Sequence, residues 1–102
     1  MKMKKTVFCG SATALITPFT SSGVDYDAFG KLLDFQIENG TDALVVCGTT
    51  GEPATMTYEE RDEAVRFAVK RVNGRVPVIV GTGSNATHIA VSNTKKARDN
   101  GA

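Results

Sequence analysis

The run Ala43-Leu44-Val45-Val46-Cys47 passes directly into Gly48-Thr49-Thr50-Gly51-Glu52-Pro53. An unbroken apolar run reads as a strand buried on both faces, as in a parallel sheet, rather than as an alternating half-buried one. The glycine-threonine loop then meets its C-terminal end. Thr57 and Glu60 follow, three residues apart, the spacing of a capping box. The helix they open buries Ala64, Val65, Ala68 and Val72 and ends at Asn73-Gly74, where glycine accepts the left-handed conformation. The same order of signals flanks this unit on both sides. Upstream stand the strand Ala12-Thr13-Ala14-Leu15-Ile16-Thr17 closed by Pro18, a Ser-Gly loop, and a helix capped by Asp25. Its apolar stripe is Phe29, Leu32, Leu33 and Ile37, and Asn39-Gly40 ends it. Downstream come Val76-Pro77-Val78-Ile79-Val80, the loop Gly81-Thr82-Gly83-Ser84-Asn85, and a helix carrying Ala90, Val91, Thr94 and Ala97 to Asn100-Gly101. Asn85 and Thr87 are its cap signals.

Strand starts recur about every 31 to 34 residues, the length of one βα unit with short loops. Such alternation argues for a parallel sheet with helical crossovers, either doubly wound or closed into an eight-stranded barrel. A whole barrel needs roughly 250 residues, and this sequence has 102. Asn39-Gly40-Thr41-Asp42-Ala43 has its parallel in Asn100-Gly101-Ala102, where a fourth strand would begin. Residues 1–102 are therefore expected to be the N-terminal portion of one larger α/β domain. Three parallel strands alone leave open edges, so stability in isolation is not expected.

Composition narrows the classes. Hydrophobic residues make up 41% and charged residues 23%, with a net charge of +1. That balance offers no electrostatic footprint for nucleic acid or an anionic membrane, and no apolar run approaches the roughly 20 residues of a membrane span. The basic start Met1-Lys2-Met3-Lys4-Lys5 is followed by too short and mixed a stretch for a signal-peptide core. Cys9 and Cys47 form no CxxC pair and read as reduced strand residues of a cytoplasmic protein.

The chemistry concentrates in Gly48-Thr49-Thr50-Gly51-Glu52, at the end of the strand where parallel α/β folds gather ligands. Consecutive amides can point at an anion there, two hydroxyls add adjustable hydrogen bonds, and glycines let the backbone turn sharply and approach a ligand. A carboxylate or phosphate suits such a loop; Gly81-Thr82-Gly83 would face the same mouth. The residues alone leave open the plainer reading, two strand-to-helix turns with Thr and Ser as caps. Neither loop matches GxxxxGK[ST] or GxGxxG, which disfavours nucleotide phosphates.

Four stretches in combination are similar to the start of the dihydrodipicolinate synthase and N-acetylneuraminate lyase family: Thr13-Ala14-Leu15-Ile16-Thr17-Pro18-Phe19, Asn39-Gly40-Thr41-Asp42-Ala43-Leu44, Gly48-Thr49-Thr50-Gly51-Glu52 and Pro77-Val78-Ile79-Val80-Gly81-Thr82-Gly83. The resemblance runs from about Phe8 to Ala102, and the Thr-Thr pair favours the synthase branch over the neuraminate lyases, which usually read Ser-Thr. It implies the first three βα units of a (β/α)8 TIM barrel and class I aldolase chemistry. In that chemistry pyruvate forms a Schiff base with a lysine and attacks L-aspartate 4-semialdehyde, toward lysine and diaminopimelate synthesis. By the same resemblance Thr50 would hold the pyruvate carboxylate, Thr49 would be a hydroxyl in a proton relay with two tyrosines, and Gly48 and Gly51 would frame the substrate. Glu52 would buttress the loop. No metal or organic cofactor is implied, since the lysine iminium is the electron sink. A homo-oligomer, dimer or tetramer, is implied.

The sequence departs from the family in two respects. The Schiff-base lysine, the relay tyrosines and the arginine for the semialdehyde belong to later strands of the family. Lys2, Lys4, Lys5, Lys31, Lys70, Lys95 and Lys96 read as terminus and helix-face residues, and Tyr26 and Tyr58 are not the relay pair. The 102 residues alone are thus expected to be inactive. Lysine-inhibited members place a serine, histidines and a glutamate where this chain has Pro53, Tyr58, Arg61 and Ile89, keeping only Asn85; weak or absent lysine feedback is expected. His88 reads as a partly exposed helix residue, and Glu59, Glu60, Asp62 and Glu63 as carboxylates favoured by a helix N-terminus. Phe29 and Phe35 read as packing residues, Cys47 as a small buried filler. The alternatives are another pyruvate-dependent 2-keto acid aldolase, a non-catalytic half-barrel that assembles with itself, and a simple anion-binding domain.

Overall fold

The computed structural model describes residues 4–102. Three strands, β1 (Ala12–Ala14), β4 (Ala43–Val46) and β5 (Val78–Val80), form one parallel sheet in the order β1-β4-β5. Between β1 and β4 lie a short antiparallel pair, β2 (Phe19–Thr20) with β3 (Gly23–Val24), and helix α1 (Tyr26–Glu38). Helix α2 (Tyr58–Val72) connects β4 to β5, and α3 (Thr87–Asp99) follows β5. The register sets Thr13 beside Leu44 and Leu44 beside Val78, with Ala14, Val45 and Ile79 in the next row. Parallel strands laid down in chain order and joined through helices, crossovers that are right-handed as a rule, put those helices on one face of the sheet.

Period-two alternation separates the faces. Leu15, Leu44 and Val46 belong to the helix-packed core with Phe29, Leu33, Ala64, Val65, Ala68 and Val72, and Val78 and Val80 pack against it. On the other face, Ile16 is 56% and Ile79 38% exposed, and neither joins that core. Burying a side chain such as Leu33 or Leu44 contributes about 1.5–3 kcal/mol each, so the helix-covered side holds the sheet together.

The helix termini follow their residues. Asp25 caps α1 by accepting from the Ala28 N–H at 3.0 Å. Thr57 and Glu60 form the reciprocal capping box of α2, at 3.1 and 3.0 Å. Asn73 (φ 50°) and Gly74 (φ 77°) end that helix in the left-handed region.

Several expectations need correction. The strands are shorter than their apolar runs. Val76 and Pro77 precede β5, since proline has no N–H for the ladder, although the Pro77 carbonyl accepts from Leu44 at 3.0 Å. Ile16 and Thr17 extend beyond β1, where only the Leu15 N–H still reaches Val45 O. The Ser-Gly loop contains the β2–β3 pair. The N-cap position of α3 is Ala86, with no side-chain cap hydrogen bond, so Asn85 and Thr87 do not cap the helix. Of its expected stripe only Ala97 is buried, and Val91 is 48% exposed. Cys9 is exposed and lies outside the strands. No helix among the described residues is long and apolar enough to cross a membrane.

Candidate functional site

Strand β4 ends at Val46, and the chain turns at Cys47 (φ 56°). Gly48 is extended, Thr49–Gly51 form one 3-10 turn, Glu52 is left-handed at φ 58°, and Pro53–Thr55 form a second 3-10 turn. The Gly51 N–H donates to Gly48 O at 2.8 Å and the Glu52 N–H to Thr49 O at 3.0 Å. Glu52 O accepts from both the backbone and the hydroxyl of Thr55, at 3.1 and 2.9 Å. Glu52 thus braces the loop through its backbone, and its side chain is exposed. The sharp turns fall on Cys47 and Glu52, not on the glycines as expected. Each holds a conformation that costs a side-chain-bearing residue about 1–2 kcal/mol.

Gly51 serves close approach instead, whereas a Cβ on Gly48 would meet only the Val45 side chain, at 3.2 Å. A Cβ on Gly51 would lie 3.1 Å from the Thr17 hydroxyl and 3.3 Å from Leu15 O, seating the turn against the extension of β1. A Cβ on Gly81 would run into the Cys47 carbonyl and stand 3.0 Å from Gly48 Cα. The loop after β5 therefore lies directly on the root of the loop after β4. A third attachment comes from α2, where Arg61 Nε donates to Pro53 O at 2.9 Å.

Thr49 and Thr50 are both exposed, and they lead the turn. The first N–H groups of a 3-10 turn have no partner inside it, so these two amides and two hydroxyls are open to an anion. Thr49 lines a cleft with Cys47, Gly48, Pro53, Ala54, Arg61, Gly81 and Gly83. Thr50 and Gly51 are not on its wall; Gly51 is buried toward β1. A second cleft behind the loop, between α2 and α3, shares Cys47, Arg61 and Gly81 and adds Tyr58, Asp62, Thr82, Asn93 and Lys96. Arg61 stands between the two. Its guanidinium carbon is 5.3 Å from the Tyr58 ring, with Lys96 Nζ 5.9 Å from the same ring.

Burial pushes the Cys47 thiol above its ordinary range, and the nearby Arg61 charge opposes that only in part. It is a buried filler and a poor nucleophile. Lys4, Lys5, Lys31, Lys70, Lys95 and Lys96 are all exposed, and Lys2 lies outside the described residues. Tyr26 packs on Phe67, with ring centroids 4.8 Å apart. His88, Glu59 and Glu63 are exposed on their helices. Phe29 is fully buried, whereas Phe35 is 57% exposed and packs little. Among the described residues no three His, Cys, Asp or Glu side chains converge as metal ligands. Sequence reasoning placed Thr49 and Thr50 at the strand end but missed the attachment through Arg61. The eight-residue separation of Arg61 and Pro53, one on a helix and one in a loop, gives no periodic signal.

Residues 7–102 match the model of the dihydrodipicolinate synthetase family. The chain is 56% identical over 96 residues to the 4-hydroxy-tetrahydrodipicolinate synthase of Aquifex aeolicus (strain VF5), covering 94% of this chain and 33% of that protein. It superposes on the crystal structure of dihydrodipicolinate synthase from Aquifex aeolicus with a TM-score of 0.88 and 57% identity, over 91% of this chain and 32% of that one. A chloride-inhibited dihydrodipicolinate synthase from Acinetobacter baumannii, solved in complex with pyruvate, gives a TM-score of 0.90 and 41% identity over 95% of this chain and 33% of that one. The chain spans about a third of the length of the relatives it matches. Its one-sided parallel sheet corresponds to three βα units of their TIM barrel.

Proposed function

The chain belongs to the dihydrodipicolinate synthetase family, and from that premise we propose that it supplies the pyruvate-holding part of a 4-hydroxy-tetrahydrodipicolinate synthase. In the proposed reaction a lysine amine condenses with the pyruvate ketone, releasing water. The iminium accepts the electron pair while a methyl proton passes to a base. The resulting enamine carbon attacks the aldehyde of L-aspartate 4-semialdehyde, whose oxygen takes up a proton, and release of the product from the iminium frees the lysine. Thr50 receives the pyruvate carboxylate with its hydroxyl and N–H, and the Thr49 hydroxyl carries a proton. Gly48 and Gly51 let the backbone come close. The observation that carries this reading is the Thr49–Gly51 turn itself, with two leading amides and two exposed hydroxyls at the C-terminal end of the central strand. That is where parallel βα folds assemble their sites.

The proposal assigns the covalent step to a lysine other than the seven in this chain. An amine that forms a Schiff base at neutral pH works best where burial lowers its pKa, and the described lysines are exposed. Residues 1–102 then bind without converting. No metal or organic cofactor enters the scheme; a homo-oligomer in the cytoplasm is part of the same proposal. Titrating the protein with pyruvate while following backbone amide resonances tests it. Thr49, Thr50 and Gly51 are expected to shift saturably, and inorganic phosphate to compete weakly. Saturable shifts confined to other segments would overturn the assignment.

A further inference from the structure

We propose that Arg61 is the positioning residue of the Thr49–Thr50 loop, acting through its Nε hydrogen bond to Pro53 O rather than through its charge. The inference rests on the reading of that loop as the pyruvate site.

The loop is seated from three sides. The extension of β1 meets it at Gly51, and the loop after β5 meets it at Cys47 and Gly48. Helix α2 meets it through the Arg61 hydrogen bond to Pro53 O, with Cys47 and Met56 at its two ends packed into the core that α2 lines. The first two are contacts of backbone and small groups, and they fix the root and the middle of the loop. Beyond Glu52 the chain runs through a second 3-10 turn, in which Ala54 and Thr55 are exposed and Met56 alone is buried. The Pro53 carbonyl already accepts the Met56 N–H at 3.1 Å, and the guanidinium takes its second lone pair. Hydrogen bonds from charged donors are about twice as strong as neutral ones. Because Glu52 is held at φ 58° between the two turns, tension on Pro53 O reaches the first turn through one strained residue. Losing the bond frees Glu52 to relax, and the Thr49–Gly51 turn relaxes with it.

Arg61 itself is well placed for this duty. It sits in the first turns of α2, fixed by the capping box one turn earlier, and its N–H donates to Thr57 O at 3.0 Å. Its guanidinium lies 5.3 Å from the Tyr58 ring, which limits the rotamers of a long side chain. The guanidinium also lines the cleft that Thr49 lines, so a charge mechanism is the rival explanation.

Two substitutions separate the two. Gln places an N–H donor at the same bond count from the backbone as Arg Nε, without charge. Lys keeps the charge and puts a carbon there. In amide hydrogen exchange on the purified protein, Arg61→Ala is expected to raise the exchange of Glu52, Thr55 and Met56 about ten-fold, the loss of one charge-assisted hydrogen bond. Arg61→Gln is expected to restore most of the protection and Arg61→Lys little of it. Pyruvate affinity should follow the same order. Protection restored by Lys and not by Gln overturns the positioning role in favour of charge, and wild-type protection in Arg61→Ala overturns it outright. Exchange is read without pyruvate, so a failure of the pyruvate assignment leaves this result standing and distinguishable. Far-ultraviolet circular dichroism checks that α2 is intact in each variant.

Discussion

Replacing Gly81 with alanine would drive a methyl group into the Cys47 carbonyl oxygen, with the carbonyl carbon 2.9 Å and Gly48 Cα 3.0 Å away. Ordinary carbon–carbon contacts lie at about 3.5–4.0 Å. Every atom the methyl meets is backbone, so no side chain can swing aside. Relief requires moving the Cys47–Gly48 peptide, which already holds a left-handed cysteine. Overpacking of this kind costs about 1–3 kcal/mol and occasionally more, while alanine returns about 0.4–1 kcal/mol by restricting the unfolded chain. The net expectation is a loss of about 1 kcal/mol, or about 4–8 °C in melting temperature for a chain of this size. Gly83→Ala is the internal control, since nothing lies within 4 Å of its added Cβ; it should melt at or slightly above wild type. Thermal melts of the three proteins, with Thr49 and Thr50 amide shifts recorded alongside, make the comparison. Gly81→Ala melting like Gly83→Ala, with those shifts unmoved, would falsify the contact between the two loops.

Asp34 ties α1 to α2 and to the turn that follows it, with Arg71 Nη2 at 2.7 Å and Arg75 Nη2 at 2.9 Å. The hydrogen bonds from Arg71 and then Arg75 hold its carboxyl down at about 2. A depressed carboxyl contributes stability that is complete above its unfolded value and is lost as pH falls through its folded one. Wild type should therefore lose more stability than Asp34→Asn between about pH 4 and pH 2, and parallel urea titrations of the two proteins would contradict this. A thiol reagent at neutral pH should label exposed Cys9 readily and buried, pKa-raised Cys47 far more slowly; equal rates by peptide mapping would show the loop root to be open. Lysine should not bind. The cleft of Tyr58, His88, Ile89, Ser92, Asn93 and Lys96 offers no carboxylate to a second ammonium, and calorimetric binding at micromolar lysine would refute that.

The sequence made the unit order legible because each helix end is written in local chemistry. Asp25, the Thr57–Glu60 box and Asn73-Gly74 act within a turn of themselves, and all three stand where expected. The position of Thr49 and Thr50 followed from strand polarity alone. What was not legible depends on partners distant in the chain. Glycines beside a sharp turn suggest that they make it, yet Cys47 and Glu52 carry the positive φ, while Gly51 is seated against Thr17 and the distant Gly81 against Cys47. The α3 stripe of Ala90, Val91 and Thr94 has little apolar contrast. Thr94 is held instead by its hydroxyl, 2.9 Å from that of Thr82. The β2–β3 pair spans only two rungs, below what periodicity can reveal.

On the proposed function this chain binds pyruvate, and the lysine that bonds to pyruvate is none of its seven. Incubating the purified 102-residue protein with pyruvate and borohydride and recording the intact mass tests that claim most directly. The account predicts an unmodified mass at pyruvate concentrations that saturate the Thr49–Thr50 shifts. A reduced pyruvate adduct on this chain, mapped to any of its seven lysines, would contradict it.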